Sequence, residues 1–401
     1  MVLFFHTVVI LSRHKLRKSI EAVVCGMHRS LDYSLSRRAL RGLLMLGYCF
    51  VLLFGFDIIY SRFFYDDDVL ARVAHPKFHH GLVPNFIGHG AWGAIEHSFY
   101  TNSLGFKDAT TRDVQRVANT RRVLLMGDSF TEGIGMRFEE SFAGLLYRSG
   151  QEGSRKTEFL NAGAAGYSPV MYYQKVKYLL QHGLQFDEIV VFSDISDVNE
   201  EATTYFCIDE DPRYRAYCSA EERQWIAEPS KRKLKANFII TDRLIWIIKQ
   251  QVRRLRGTPA YIPPSKHDVV TNKHPGNIWT IPRLDNEQAY APLGIEGGIT
   301  RSRQNMQKLA DLLAEHDIPL TIAVYPWPIH LAYEDRDSRQ IAIWRDFCVR
   351  NCKEFINIFP AFFAEKDAHE DWYERLFIYG DKHFSPEGHR LMFRELAKHL
   401  L

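Results

Sequence analysis

The stretch Gly127-Asp128-Ser129-Phe130-Thr131-Glu132-Gly133 begins where a short apolar run, RRVLLM, stops. Such a run reads as a buried strand, and the glycines after it permit a tight turn into a helix. A serine just past the end of a parallel strand stands where open α/β sheets place their ligands. The N-terminus of the next helix offers free N–H groups to a developing oxyanion. A serine hydroxyl is a poor nucleophile until a base takes its proton and a third group orients that base. Asp381-Lys382-His383, just ahead of the last helix, supplies both, with His383 as base and Asp381 as the orienting acid. Taken alone, Gly-Asp-Ser is also an ordinary capped turn. Asp128 is read in that sense, fixing the turn by hydrogen bonds.

Two further polar blocks follow apolar strands. Asn161-Ala-Gly-Ala-Ala-Gly166-Tyr167-Ser168 lies past EFLN, and Gly166 lets the backbone approach a ligand and donate its N–H. Phe192-Ser-Asp-Ile-Ser196-Asp197-Val-Asn199 lies past EIVVFS. Tyr325-Pro326-Trp327-Pro328 ends a later strand and reads either as cleft lining or as a rigid turn with a packed Trp. His79, His80, His330 and His389 have no partner spacing and read as structural or solvated, and no Cys/His spacing resembles a metal site.

The elements that must position these blocks alternate. From Arg121 onward a strand, a helix ending at Gly150, the strand EFLN, the helix PVMYYQKVKYLLQHG and the strand EIVVFS succeed one another. After about a hundred residues the pattern resumes with a helix at 299–316, the strand PLTIAVYP, a helix at 337–351, the strand EFINIF and a helix at 386–400 capped by Ser385 and Pro386. Alternation of this kind predicts a parallel sheet covered by helices on both faces. All four polar blocks then converge on one sheet edge.

The blocks, in this order, resemble those of the SGNH/GDSL hydrolase family over residues 121–401. The resemblance implies a three-layer α/β/α flavodoxin-like domain with Ser129 as nucleophile and Asp381 and His383 as its partners. It also implies the Ser129 and Gly166 N–H groups as oxyanion-hole donors. Two features depart from the family pattern. The final block is Asp-x-His rather than Asp-x-x-His, a spacing similar to that of SGNH-type proteins that acetylate exported polysaccharides. Ser196-Asp197 stands where the family has Asn-Asp, so the third oxyanion donor is Ser196, Asn199 or neither. The resemblance implies an ester hydrolase or O-acyl(acetyl)transferase working through a Ser129 acyl-enzyme, without cofactor or metal. An SGNH-fold protein that binds glycan or an assembly partner without turning it over is the alternative.

With 401 residues, 46% apolar and 25% charged, the chain has the composition of a folded protein, and a net charge of +3 argues against nucleic-acid binding. Residues 39–60, ALRGLLMLGYCFVLLFGFDIIY, form the most apolar stretch and read as a transmembrane anchor, or as a core helix. The excess of Lys and Arg in residues 1–38 predicts a cytoplasmic N-terminus and an extracytoplasmic, periplasmic remainder. No small-residue cleavage pattern follows, so an uncleaved anchor is expected, although translation starting at Met27 is equally compatible. Expected domains are the basic segment 1–38, the anchor 39–60, a loop-rich region 61–118 packing beside the main domain, and the hydrolase domain 119–401 with an insertion at about 197–298. The basic segment 231–256 within that insertion reads as a membrane-surface helix, an active-site cap or a solvated edge. Cys207 and Cys218 bracket a polar loop that a disulfide would close, while Cys348 and Cys352 are expected to be thiols or a weak pair. Expected partners are the membrane, an acylated carbohydrate or other ester, and, for a transferase, a separate membrane acyl-transfer protein.

Overall fold

The computed structural model describes residues 33–63, 71–92, 95–153, 156–227, 240–241, 244–245, 248, 251–252, 279–281 and 287–401. They fall into two compact units, 1–64 with 235–249, and 65–234 with 250–401.

The first unit is built on helix α1, Tyr33–Phe63. Its segment Leu40–Ser61 has 22 residues, a mean hydropathy of 2.2 and almost no burial, so it is long and apolar enough to cross a membrane. Leu43, Leu44, Leu46 and Val51 are all exposed. Near the end of α1, Asp57 accepts the N–H groups of Ile240 and Thr241 at 2.9 and 2.7 Å. These two residues, with 244–245, 248 and 251–252, are the helical part of the basic segment 231–256 that is described; the rest of that segment lies outside the described residues.

In the second unit a five-stranded sheet is made of β6 Arg121–Gly127, β7 Thr157–Asn161, β8 Glu188–Ser193, β9 Leu320–Val324 and β10 Glu354–Asn357. The spatial order is β10-β9-β8-β6-β7 and every pair is parallel. β7 lies on one side of β6 and β8 on the other, so the topological switch point lies at the C-terminal ends of β6 and β8, where a ligand crevice belongs. Strands β6, β7, β8 and β9 are buried on both faces, as a helix-covered parallel sheet requires, and the edge strand β10 is half-buried. Ser129–Glu132 forms the short helix α2, and Phe142–Glu152 forms α3. Pro169–Gln181 forms α4, Asp197–Thr203 α5, Gly294–Glu315 α6, Arg339–Asn351 α7 and Pro386–Leu400 α8. Helix α8 packs on α3, while α4, α5 and α7 pack with α6. As its sequence predicts, α8 begins with Ser385 accepting the Gly388 N–H, followed by Pro386 at the first position.

Residues 71–108 form two small antiparallel sheets. One pairs β1 Arg72–His75 with β2 His79–Leu82; the other orders β3 Ile87–Trp92, β4 Ile95–Thr101 and β5 Lys107–Asp108. This region is more than a neighbour of the sheet. The buried Lys107 ammonium donates to the Gly133 and Met136 carbonyls at 2.7 Å each, holding the loop after α2. Beyond α5, buried Arg301 pairs with Asp209 and Glu201 and fixes the start of the insertion. Cys207 and Cys218 are joined there, with Cα atoms 4.9 Å apart. Of the two alternatives for Cys348 and Cys352, thiols or a pair, the structure has the pair. Cys352 caps α7 with an extended backbone, which leaves the two Cα atoms 4.6 Å apart, within disulfide range.

Candidate active site

Strand β6 delivers Ser129. Gly127 closes the strand, and a Cβ there would come within 2.1 Å of Thr131 Oγ1, so the turn has room only for glycine. Asp128 then caps α2 by accepting the Phe130 N–H at 3.0 Å. Ser129 Oγ lies 2.9 Å from His383 Nε2, and His383 Nδ1 lies 2.5 Å from Asp381 Oδ1. The same Asp381 oxygen accepts the His383 backbone N–H at 2.8 Å. This is how Asp-x-His spacing closes: one carboxylate oxygen reaches both the main chain and the ring of a histidine two residues on. The loop is pinned by the Ile378 N–H on the His383 carbonyl, 2.8 Å, and by the Tyr373 hydroxyl on the Asp381 carbonyl, 2.9 Å.

The other Asp381 oxygen accepts the indole N–H of Trp92 at 2.9 Å, and the Trp92 ring stands edge-on to His383 with centroids 5.2 Å apart. Burial pushes the Asp381 carboxyl up, but the bonds from His383 and Trp92 outweigh it and hold the group well below the usual carboxylate range. An ionised Asp381 keeps the Nδ1 proton on His383 and leaves Nε2 to accept from Ser129.

A second acid network lies behind Ser129. Asp128 Oδ2 is 3.0 Å from Ser129 Oγ, so the serine has two potential acceptors for one proton. Burial, with the nearby Asp194 carboxylate, pushes Asp128 up to about 8. Asp194 in turn accepts from the Tyr325 hydroxyl and the Trp327 indole, each at 2.7 Å. Lys382 sits 3.9 Å from the Trp327 ring centroid. The Tyr-Pro-Trp-Pro turn therefore supports the acids from below with its side chains, and neither Tyr325 nor Trp327 lines the cleft.

The cleft has a volume of about 370 Å³, and Trp92, Ser129, Gly166, Ser196, Glu200 and His383 are among the residues lining it. Gly166 has φ +80°, and a Cβ would meet the Tyr205 hydroxyl at 3.1 Å. The loop that carries it is clamped on both sides. The Ala165 N–H donates to Glu132 at 2.7 Å, and the Ala165 carbonyl lies 2.8 Å from His80 Nε2. Burial pushes Glu132 up, yet the forked Arg72 guanidinium (2.7 and 2.9 Å), Lys107 and the Ala165 N–H bring it down to about 2.

The two residues considered for the third oxyanion donor are engaged elsewhere. The Ser196 hydroxyl donates to Asp194 at 2.6 Å although the residue lines the cleft. The Asn199 amide donates to the Ala289 carbonyl at 2.8 Å, away from the cleft. His330 and His389 are buried acceptors for the Trp327 and Phe142 N–H groups. Cys207, Cys218 and Glu222 come within 4.8 Å of one another, but the two sulfurs are spent on the disulfide. Trp92, Arg72 and Glu200 were not picked out from the sequence. Glu200 alone had a signal, since it stands one helical turn after Ser196.

No protein-family model and no curated protein matches the sequence. Among solved structures the chain is similar to a psychrotrophic esterase from Pseudoalteromonas sp., with 12% identity over 70% of this chain and 95% of that one and a TM-score of 0.35. An acetylxylan esterase from Geobacillus stearothermophilus, solved as a catalytic mutant, gives 10% identity over 71% and 96%, with a TM-score of 0.35. AlinE4, an SGNH-hydrolase family esterase, gives 15% over 66% and 88%, with a TM-score of 0.31. Similarities this distant carry neither substrate nor mechanism.

Proposed function

We propose that this chain is an SGNH-type serine ester hydrolase or O-acyltransferase, and that the observation carrying this reading is the continuous hydrogen-bonded series Ser129–His383–Asp381 at the mouth of the cleft. His383 takes the Ser129 proton as the hydroxyl oxygen attacks an ester carbonyl. The N–H groups of Ser129 and Gly166 face the oxyanion, and the imidazolium is balanced by Asp381. Collapse of the tetrahedral intermediate passes the proton from His383 to the leaving alcohol and leaves an acyl group on Ser129. Water then regenerates the serine in an esterase; a sugar hydroxyl does so in a transferase.

An acylated exported glycan is the substrate class we favour, on the Asp-x-His spacing and on the apolar helix Leu40–Ser61. In this reading residues 39–60 anchor the protein, residues 1–38 stay in the cytoplasm, and the hydrolase domain from 119 onward works in the periplasm. A transferase would draw its acyl groups from a separate membrane protein. The experiment is labelling with a fluorophosphonate, which needs an activated serine. Wild type should label and Ser129→Ala should not; an unlabelled, folded wild type would leave the non-catalytic glycan-binding reading in its place. A reporter fused after Leu401 should read as extracytoplasmic.

A further inference from the structure

The cleft holds an acidic side chain that neither the triad nor its supports use. Glu200 is on α5, one turn after Ser196, whose carbonyl accepts the Glu200 N–H at 3.0 Å. Side chains on a helix lean toward its N-terminus, so residues four apart cover the same patch. From Ser196 the short hydroxyl turns back to Asp194; from Glu200 the longer chain extends into the cleft beside Gly166. Glu200 Oε1 would lie 3.9 Å from a Cβ built on Gly166, and Oε2 is buried with no hydrogen-bond partner among the described residues. A buried polar atom left unpaired costs stability and calls for a partner that the protein alone does not supply.

We infer that Glu200, as an uncharged carboxylic acid, is the third donor of the oxyanion hole, taking the place of the absent amide side chain and giving a hydrogen bond to the substrate carbonyl oxygen as it becomes negative. This rests on the serine-hydrolase reading. The surroundings favour the uncharged form. Burial acts first, then Asp128 at the head of α2, Asp194 after β8 and Glu201 on α5 itself, and together they outweigh the opposing Lys382, holding Glu200 well above the usual carboxylate range. Arg72, across the cleft on β1, is committed to Glu132, and Tyr205 stands against Gly166. A carboxylic acid kept neutral in an apolar site donates to an oxyanion; an ionised one would repel it.

The test uses the full chain and p-nitrophenyl acetate at pH 7, with thermal melts to confirm folding. Glu200→Ala should lose roughly 10²–10³-fold in kcat with little change in KM, the usual cost of one oxyanion donor. Glu200→Gln, which keeps the shape and a donor, should stay within about fivefold of wild type, by the same donor logic. Independently of turnover, an infrared difference spectrum, wild type minus Glu200→Gln at pH 7, should carry the C=O band of a protonated carboxyl. An ionised-carboxylate band, a Glu200→Ala enzyme with near wild-type kcat, or equal losses in the Ala and Gln variants would overturn the assignment. If wild type neither hydrolyses the ester nor takes fluorophosphonate at Ser129, the hydrolase reading falls and Glu200's role with it. If wild type does both and the Glu200 results fail, only the Glu200 assignment is wrong.

Discussion

Replacing Trp92 by Phe removes one N–H from the Asp381 carboxylate and leaves an aromatic ring beside His383. Asp381 receives three N–H donors in the structure, from the His383 ring, the His383 backbone and Trp92. A hydrogen bond to a charged acceptor contributes about 1.5–3 kcal/mol, and since the Asp381 side chain is 25% exposed, water replaces part of the loss. The low end, about 1.5 kcal/mol, is therefore expected, which is about tenfold in kcat. The orientation of His383 matters to the transition state more than to substrate binding, so KM should stay nearly constant. Trp92→Ala also strips the edge-on ring, a contact of about 0.5–1.5 kcal/mol, and one wall of the cleft. Its kcat should fall by up to a further tenfold, and here KM should rise. Steady-state kinetics of both variants on an activated acetyl ester at pH 7, with thermal melts, decide the matter. A folded Trp92→Phe enzyme within twofold of wild type in kcat would refute the claim that Trp92 positions the acid.

Ser129→Ala and His383→Ala should each abolish nearly all turnover, and the double variant should be scarcely worse, because the two act as one unit; His330→Ala or His389→Ala producing that loss instead would show the base misassigned. Ser196→Ala and Asn199→Ala should each cost less than tenfold in kcat, since neither side chain reaches the oxyanion, and a hundredfold loss with KM unchanged would reverse that conclusion. Glu132, depressed from its ordinary 4.5 to about 2, contributes stability that is complete above its unfolded value and is lost as the pH falls through about 2. Chemical denaturation of Glu132→Gln should therefore show about 3 kcal/mol less stability at pH 7 and a flatter pH dependence between 4.5 and 2 than wild type.

The sheet was legible because each of its strands carries its own signal: an apolar run, a polar block at its C-terminal end, and a helix after it. Ser129, Gly166, Asp381 and His383 could be named for the same reason, since each belongs to a local block that a strand or helix terminus positions. Trp92 could not. Its strand, IGHGAW, has weak patterning, and its partner Asp381 is 289 positions away, so only the three-dimensional arrangement joins them. Arg72 is hidden similarly, paired with a glutamate 60 residues on. The oxyanion side was legible only in part. The missing amide leaves Ser196, Asn199 or neither as donor; the place of Asn199 on α5 turns it toward Ala289, while the helical period sets Glu200, which no local motif marks, in the cleft lining.

Ser129 and His383 are separated by 254 residues, and the histidine belongs to the last loop before the final helix. At about 5–20 residues per second, a ribosome takes on the order of 10–50 s to pass from one to the other. Throughout that interval the serine is an ordinary alcohol with no base. Closing so long a loop carries an entropic cost that the docking of α8 against α3 helps to offset. Chain order thus leaves the serine without its base until the last stretch of the chain has been made.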